Sequence, residues 1–428
     1  MKTIEGHDVK IFTDNIENSA LEQIKTLLSI DVFADKKIRI MPDVHAGAGC
    51  VIGFTGDLGD KVIPNIVGVD IGCGMRVLKL GKLTNIDFHA FHEFIRSNVP
   101  SGKIVREDKF GFKPLVGAEM DIYREAKQIV TQLYCYRQLK DAGRINRAIG
   151  TLGGGNHFIE LDKDDEGNVY LVIHTGSRNL GLQVANIYQE LAIRHMTAGA
   201  DAFEDHIKEV IAKYKAAGRR SELQDVIKKM RREQEKAEPS LPADLCYVEG
   251  EGREQYLHDM RLCQRWAVLN RKLISLLLLK FFPDIQVEGG IAKHSGCKLE
   301  EFESVHNYIS DDNIIRKGSI SAAVSEKCII PLNMRDGSLI CIGKGNPDWN
   351  QSAPHGAGRV LSRTQAYEQI TIADFEESMR GIYSESVNDF TRDESPMVYK
   401  PASEIIANIG DTVDITAIIR PIFNFKAS

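Results

Sequence analysis

Gly68-Val69-Asp70-Ile71-Gly72-Cys73-Gly74-Met75 is the stretch from which the rest of the chain is best read. It sets a carboxylate and a thiol three residues apart, between glycines, directly after the apolar run Val62-Ile63-Pro64-Asn65-Ile66-Val67. A strand joined to a turn presents both side chains at one point, and Gly72 and Gly74 admit backbone conformations closed to other residues. Carboxylate plus thiolate is an unusual structural pair but a reasonable start to a transition-metal site. Neither group completes such a site alone, so imidazoles are needed from elsewhere.

Outward from this stretch, Ile38–Met41, Cys50–Phe54 and Gly74–Leu80 read as strands, being short apolar runs punctuated by glycine. Helical spacing covers 84–98 and 116–142, with Ala142-Gly143 as a stop. Phe158–Leu161 and Val169–Ile173 read as strands joined by a polar turn at 162–168. From about 182 to 236 the pattern is helical, ending in the mixed-charge run Asp225–Lys236, which reads as a solvated helix face rather than a nucleic-acid-binding helix. Pro239 and Pro242 break it, and a further helix is predicted over 253–281. Strands and turns dominate 285–345, followed by a glycine-rich loop and a helical stretch near 360–381. No internal repeat or low-complexity linker is present. The expectation is one large mixed α/β (α+β) domain, with 182–281 as a peripheral, mainly helical insertion.

The bulk numbers agree with a globular protein. Of the 428 residues, 43% are hydrophobic and 27% charged, which argues against a disordered or fibrous chain. The amino terminus shows no apolar core of a secretory signal, and Leu273–Leu279 is too short to span a bilayer. The eight cysteines form no Cys-x-x-Cys pair, so reduced thiols in a cytoplasm, with no membrane, are expected. The net charge of −6 argues weakly against a general nucleic-acid coat but leaves room for a local basic groove.

Among the twelve histidines, His89, His92, His195, His206 and His258 fall in helical patterns, where surface or packing roles are the better reading. His157, His174, His306 and His355 differ, because each adjoins a glycine-rich turn or a strand end, where backbone fixes the ring while the side chain stays reachable. With Asp70 and Cys73 they suggest a shared site. One thiolate, one carboxylate and three imidazoles exceed the ligands of one zinc ion. A bridging Cys73 sulfur would let two metals share the set, an arrangement suited to phosphate chemistry; Mn²⁺, Co²⁺ and Zn²⁺ all fit the donors. Arg144, Arg178, Arg316, Lys317, Arg359 and Arg363 supply groups that suit phosphate oxygens, and the glycine runs 153–155 and 356–358 add N–H donors. Neither run matches a Walker or Rossmann spacing.

Met41-Pro-Asp-Val-His45, Val67–Met75, Gly150-Thr-Leu-Gly-Gly-Gly-Asn-His-Phe-Ile-Glu160, His174-Thr-Gly-Ser-Arg-Asn-Leu-Gly181, His306-Asn-Tyr308 and His355-Gly-Ala-Gly-Arg-Val-Leu-Ser-Arg363 together resemble the RtcB family of RNA-splicing ligases. The matches keep family order from about residue 38 to the carboxyl terminus. The resemblance implies a GTP- and Mn²⁺-dependent ligase that joins an RNA 3′-phosphate or 2′,3′-cyclic phosphate to a 5′-hydroxyl, in RNA repair or tRNA splicing. It implies one metal on Asp70, Cys73 and His157 and a second on Cys73, His174 and His306. His355 would be the nucleophile that takes up GMP. Asn156, Glu160, Asn333, Ser338, Gly356, Ala357, Gly358, Tyr399 and Lys426, with His355 itself, would contact the nucleotide. Arg144, Arg178, Lys317 and Arg363 would grip RNA phosphates. An accessory protein of the archease type is a further implied partner, and nothing in the chain demands more than a monomer.

Departures from the family pattern are confined to the nucleotide side. Pro331-Leu-Asn-Met-Arg-Asp-Gly-Ser338 stands where a Pro-Gly-Ser-Met-Gly-Ser-type loop is usual, Ala353 replaces a Cys or Ser, and Ala48 replaces a Lys. Two other classes therefore stay open: an end-capping enzyme or metal-bound end sensor without sealing, and a dinuclear phosphoesterase.

Overall fold

A computed structural model describes residues 1–107, 111–197, 200–216, 218–220, 222–234 and 239–427. The site depends on ten strands: β1 (Ile38–His45), β2 (Ile52–Asp57), β3 (Gly74–Gly81), β4 (Phe158–Lys163), β5 (Val169–Thr175), β6 (Glu300–Val305), β7 (Ile314–Lys317), β8 (Lys327–Asn333), β9 (Gly337–Gly343) and β10 (Val413–Lys426). It also depends on four helices: α1 (Phe88–Asn98), α2 (Ala118–Gln132), α3 (Arg178–His195) and α4 (Gly250–Leu279). The architecture is mixed α/β. A seven-stranded sheet runs in the order β6-β3-β5-β4-β10-β9-β8, antiparallel throughout. A six-stranded sheet places β1, β2 and β7 side by side.

Alternation along the strands separates the two faces of the larger sheet. Leu78, Leu80, Ile159, Leu161, Leu171 and Ile173 face one way and pack on Phe91 and Ile95 of α1 and Ile274 and Leu278 of α4. Met75, Val77, Phe158, Tyr170 and Val172 face the other way. By the same period of two, Glu160, His174, Asn424 and Lys426 belong to this second face, which carries chemistry at one end.

Three expectations change. The stretch 116–142 is not one helix. α2 stops at Gln132 because Asp259 of α4 accepts the N–H groups of Tyr134 (2.9 Å) and Cys135 (3.0 Å), an acceptor supplied by tertiary structure. Ala142-Gly143 opens a helix, Ala142–Arg147, which Asp141 caps by accepting from the Arg144 N–H. The stretch 360–381 divides into Arg363–Gln369 and Ile372–Ser378, the second capped by Thr371.

The segment 182–281 is not peripheral as a whole. α4 buries Tyr256, Met260, Trp266 and the run Leu273–Leu279, because its last two turns, Ser275 apart, are apolar on every side. The helices Ala200–Ala216 and Leu223–Gln234 form the outer part, and Glu235–Lys236 of the mixed-charge run lie outside the described residues. Among the described residues no helix is long and apolar enough to cross a membrane.

Candidate metal centre and adjoining pocket

Four adjacent strands end at the same edge of the seven-stranded sheet, and each delivers one donor. Cys73 precedes β3 and His306 follows β6; Gly74 pairs with Val305, and the His306 N–H donates to the Cys73 carbonyl at 2.8 Å. His174 near the end of β5 lies opposite Phe158, the residue after His157. Asp70 sits one turn before Cys73, whose N–H donates to the Asp70 carbonyl. Its carboxylate needs the glycine at 176, where an added Cβ would fall 2.2 Å from Asp70 Oδ1.

The donor atoms converge. Cys73 Sγ lies 3.4 Å from His157 Nε2 and 3.3 Å from His174 Nε2. His157 Nε2 is 3.0 Å from Asp70 Oδ2, and His174 Nε2 is 3.4 Å from His306 Nε2. Two triads, Asp70–Cys73–His157 and Cys73–His174–His306, thus share the sulfur. Backbone carbonyls select the tautomers. His157 Nδ1 donates to the Leu152 carbonyl (2.9 Å) and His174 Nδ1 to that of Asn156 (3.1 Å), leaving each Nε2 lone pair directed at the cluster.

This arrangement fits divalent metals. A tetrahedral ion bound at about 2.0–2.1 Å by nitrogen holds its ligands about 3.3 Å apart. Lone pairs facing one another at that spacing repel unless a cation lies between them. Burial holds the His174 and His306 imidazoles well below their ordinary pKa, so both are neutral, as ligation requires. Burial, with the Asp70 charge beside it, pushes the Cys73 thiol well up, so a thiolate needs a cation to stabilise it. Burial also raises the Asp70 carboxyl, but when no metal is bound a protonated His157 and the Arg178 charge outweigh it and the net shift is downward. Asp70 Oδ1 and His306 Nδ1 are buried without a hydrogen-bond partner.

The centre forms one wall of a cavity of about 320 Å³. His355, which follows the short strand Ser352–Pro354, enters it with its ring 4.8 Å from that of His306. Its Nδ1 donates to Asp43 Oδ2 at 2.7 Å, and Asp43 is fully buried on β1. Close approach of the 355–358 turn to β1 requires Gly358 (φ 77°), where a Cβ would lie 2.3 Å from the Asp43 carbonyl oxygen.

The opposite wall is a buried charge network. Glu394 Oε2 accepts from Tyr399 Oη (2.7 Å) and Lys426 Nζ (3.1 Å), while Glu394 Oε1 lies 3.3 Å from Arg359. Burial raises the Glu394 carboxyl, but the charges of Lys426 and Arg359 bring it below its ordinary value. Glu160 Oε1 accepts from Asn424 Nδ2 at 2.5 Å, and burial pushes its carboxyl up to about 7, with Lys426 opposing.

Asn156, Asn333, Gly356, Ala357, Gly358 and Arg363 also line the cavity. Asn333 directs its amide into its own turn, where Nδ2 donates to Asp336 and Oδ1 accepts from the Arg335 and Asp336 N–H groups. Ser338 does not reach the cavity. It is buried within the sheet, between the register partners Pro331 and Ile419.

The basic residues part company. Arg144 and Arg178 line a second cavity, of about 360 Å³, that reaches Asp70 from the other side together with Lys103. Arg178 also lies with Nη1 3.4 Å from His157 Nδ1. Arg363 stands at the first cavity, two-thirds exposed and paired with Asp393 at 3.5 Å. Lys317 is a correction: it is buried, and its ammonium donates to the carbonyls of Ala48 and Asn65.

Asp43, Glu394 and His45, which lines the cavity, have no assigned role in the motifs read from the sequence. Asp43 and His45 lie inside the quoted run Met41–His45, so the signal was present. Glu394 sits in an acidic stretch with nothing to distinguish it before folding.

The chain matches the family model described as tRNA-splicing ligase RtcB over residues 23–427. It is 29% identical to the RNA-splicing ligase RtcB of Escherichia coli K12, over 99% of this chain and 98% of that protein. It is 28% identical to the tRNA-splicing ligase RtcB of Aeropyrum pernix, over 96% and 93%. The chain belongs to the RtcB family.

Proposed function

We propose, from membership of the RtcB family, that this chain is an RNA ligase that joins a 3′-phosphate or 2′,3′-cyclic phosphate end to a 5′-hydroxyl end, using GTP and Mn²⁺. The observation that carries the reading is His355. An imidazole oriented by a buried carboxylate stands 4.8 Å, ring to ring, from a metal-type histidine, in a cavity large enough for a nucleotide. Asp43 holds the proton on Nδ1, so Nε2 keeps the lone pair a nucleophile needs.

Two divalent cations held by Asp70, Cys73, His157, His174 and His306 would supply Lewis acidity toward phosphate oxygens. His355 Nε2 attacks the α-phosphorus of GTP; a P–N bond forms, the P–O bond to the β-phosphate breaks, and pyrophosphate leaves. An oxygen of the RNA 3′-phosphate then displaces His355 and takes the GMP. The 5′-hydroxyl of the second end attacks the RNA phosphorus and gives up its proton to solvent as the P–O bond to GMP breaks and GMP departs; a 2′,3′-cyclic end first takes up one water, which opens the ring to the 3′-phosphate. Ionised Glu160 accepts hydrogen bonds from the guanine edge, while Tyr399 and Lys426 close that end of the pocket. Arg144, Arg178 and Arg363 bind phosphates on the two sides of the centre.

Incubation with labelled GTP and Mn²⁺, followed by intact and peptide mass spectrometry, should find one GMP on His355 and none in His355→Ala. Absence of the wild-type adduct, or its persistence in the variant, would sink the mechanism. Asn333, occupied within its own turn, favours a second reading in which the 3′ end is capped but not sealed. End-defined RNA substrates separate the two, since capped RNA without joined product supports the second.

A further inference from the structure

We infer that His89, His92, Glu93 and Glu385 form a separate surface site for a divalent transition metal of the Zn²⁺ type, which fastens α1 to the segment behind the nucleotide end of the cavity. His89, His92 and Glu93 stand at i, i+3 and i+4 on α1, a spacing that places them on one helix face. Glu385 arrives from the far end of the chain and inserts between the two imidazoles. Its Oε1 lies 3.0 Å from His89 Nδ1 and its Oε2 lies 3.4 Å from His92 Nε2. The donor atoms of His92, Glu93 and Glu385 lie within 4.8 Å of one another.

Two ion pairs are the competing explanation, and they account for only half of the cluster. His89 is exposed, and the Glu385 hydrogen bond raises its pKa, so a charged His89 beside Glu385 is self-sufficient. His92 is different. Its ring is 6% exposed and lies tilted against Phe425 (5.1 Å), its Nδ1 has no hydrogen-bond partner, and its Nε2 makes only a long contact, 3.4 Å, with the Glu385 carboxylate. Burial lowers its affinity for a proton. A neutral imidazole whose Nε2 has nothing nearer than a carboxylate oxygen at 3.4 Å is poorly satisfied at that atom, and a cation between Nε2 and the carboxylates improves on the contact. The His92 imidazole and two carboxylates, joined by His89 once it gives up its proton to the incoming metal, match the preference of zinc for mixed N and O ligands. Tyr383 Oη also donates to Glu385 (2.6 Å) and lies 3.3 Å from His89 Nδ1, while Arg96 pairs with Glu93 (3.1 Å) and must yield to the metal.

The position gives the site a consequence. Ser386, next to Glu385, donates to the Lys426 carbonyl (3.0 Å) and accepts from the Lys426 N–H (2.8 Å). Phe425, under His92, is the other neighbour of Lys426. A metal here therefore stiffens the backbone of a residue that closes the nucleotide pocket.

The test counts metals on the full chain. Metal-stripped wild type, His92→Ala and Glu385→Gln are each loaded with Zn²⁺ and, separately, Co²⁺, then measured by native mass spectrometry and visible absorption. Each variant should hold one ion fewer than wild type. The sulfur-to-cobalt charge-transfer band of the Cys73 centre, read with the exposed Cys297 replaced by Ser in every protein compared, should keep its intensity in both. Equal metal content in wild type and both variants overturns the site, as does loss of that band together with the ion. Glu385→Gln changes a partly exposed group and guards against a folding defect in His92→Ala.

Discussion

At the metal end of the cavity, four donors are carried by the ends of adjacent antiparallel strands, so sheet register alone aligns them. At the nucleotide end, Glu394, Lys426, Tyr399 and Arg359 come from irregular segments and the last strand, and their side chains are joined by buried hydrogen bonds and charge pairs centred on Glu394. The first end tolerates no shift of register but asks little of its surroundings. The second depends on every partner being present, because a buried charge that loses its counter-charge keeps its desolvation cost. The contrast predicts that substitutions at the metal end abolish chemistry with modest loss of stability, and those at the nucleotide end do the reverse.

Cys73→Ala should have the largest effect on activity. If its sulfur is shared, both metals are lost together and sealing falls on the order of 10⁴-fold or more, as for removal of one member of a catalytic unit. Asp70→Ala should weaken one ion only. Two ions retained in Cys73→Ala, counted by native mass spectrometry, would break the shared-sulfur picture. Asp43→Asn comes next. The amide presents a donor as well as an acceptor to His355 Nδ1, and the rate of GMP transfer to His355 should drop about 10²–10⁴-fold with GTP affinity little changed. An unchanged adduct rate in single-turnover assays would remove Asp43 from its orienting role.

Glu394→Ala sharpens the other half of the comparison. It leaves Lys426 and Arg359 unpaired and should cost about 3–5 kcal/mol in denaturant unfolding, while metal content stays at the wild-type value. A loss under about 1 kcal/mol would show that water replaces the carboxylate there.

The smallest effect is on pH. Glu160 has its carboxyl raised to about 7 in the folded chain against an ordinary 4.5. Between those values the folded state binds more protons than the unfolded state, so this group's contribution to stability declines as pH rises through the window. Guanine needs the ionised form, so GTP affinity should rise about tenfold from pH 6 to pH 8. Glu160→Gln should flatten that dependence in calorimetric titrations; an identical profile would locate the titrating group elsewhere.

Much of the fold was legible because alternation in β3, β4 and β5 and the glycine punctuation around them are local properties. The errors have tertiary causes. Asp259 ended α2 by capturing two N–H groups from 125 and 124 residues away, and the burial of α4 followed from what packs around it. At the site, the donors at strand ends converged, whereas Lys317 and Ser338, although each adjoins a glycine, lie within paired strands and were drawn into the interior.

The kinds and spacing of the donors, Asp70 and Cys73 in one turn and four histidines beside glycine or at strand ends, are properties of the sequence by itself, because turn chemistry and strand period act over a few residues. Which groups are partnered was decided only in three dimensions. Asp43 meets His355 across 312 residues, Glu394 meets Lys426 across 32, and Glu385 reaches His89 across 296. A charge or hydrogen bond depends on the atoms within about 4 Å of it, and chain order does not say which atoms those will be.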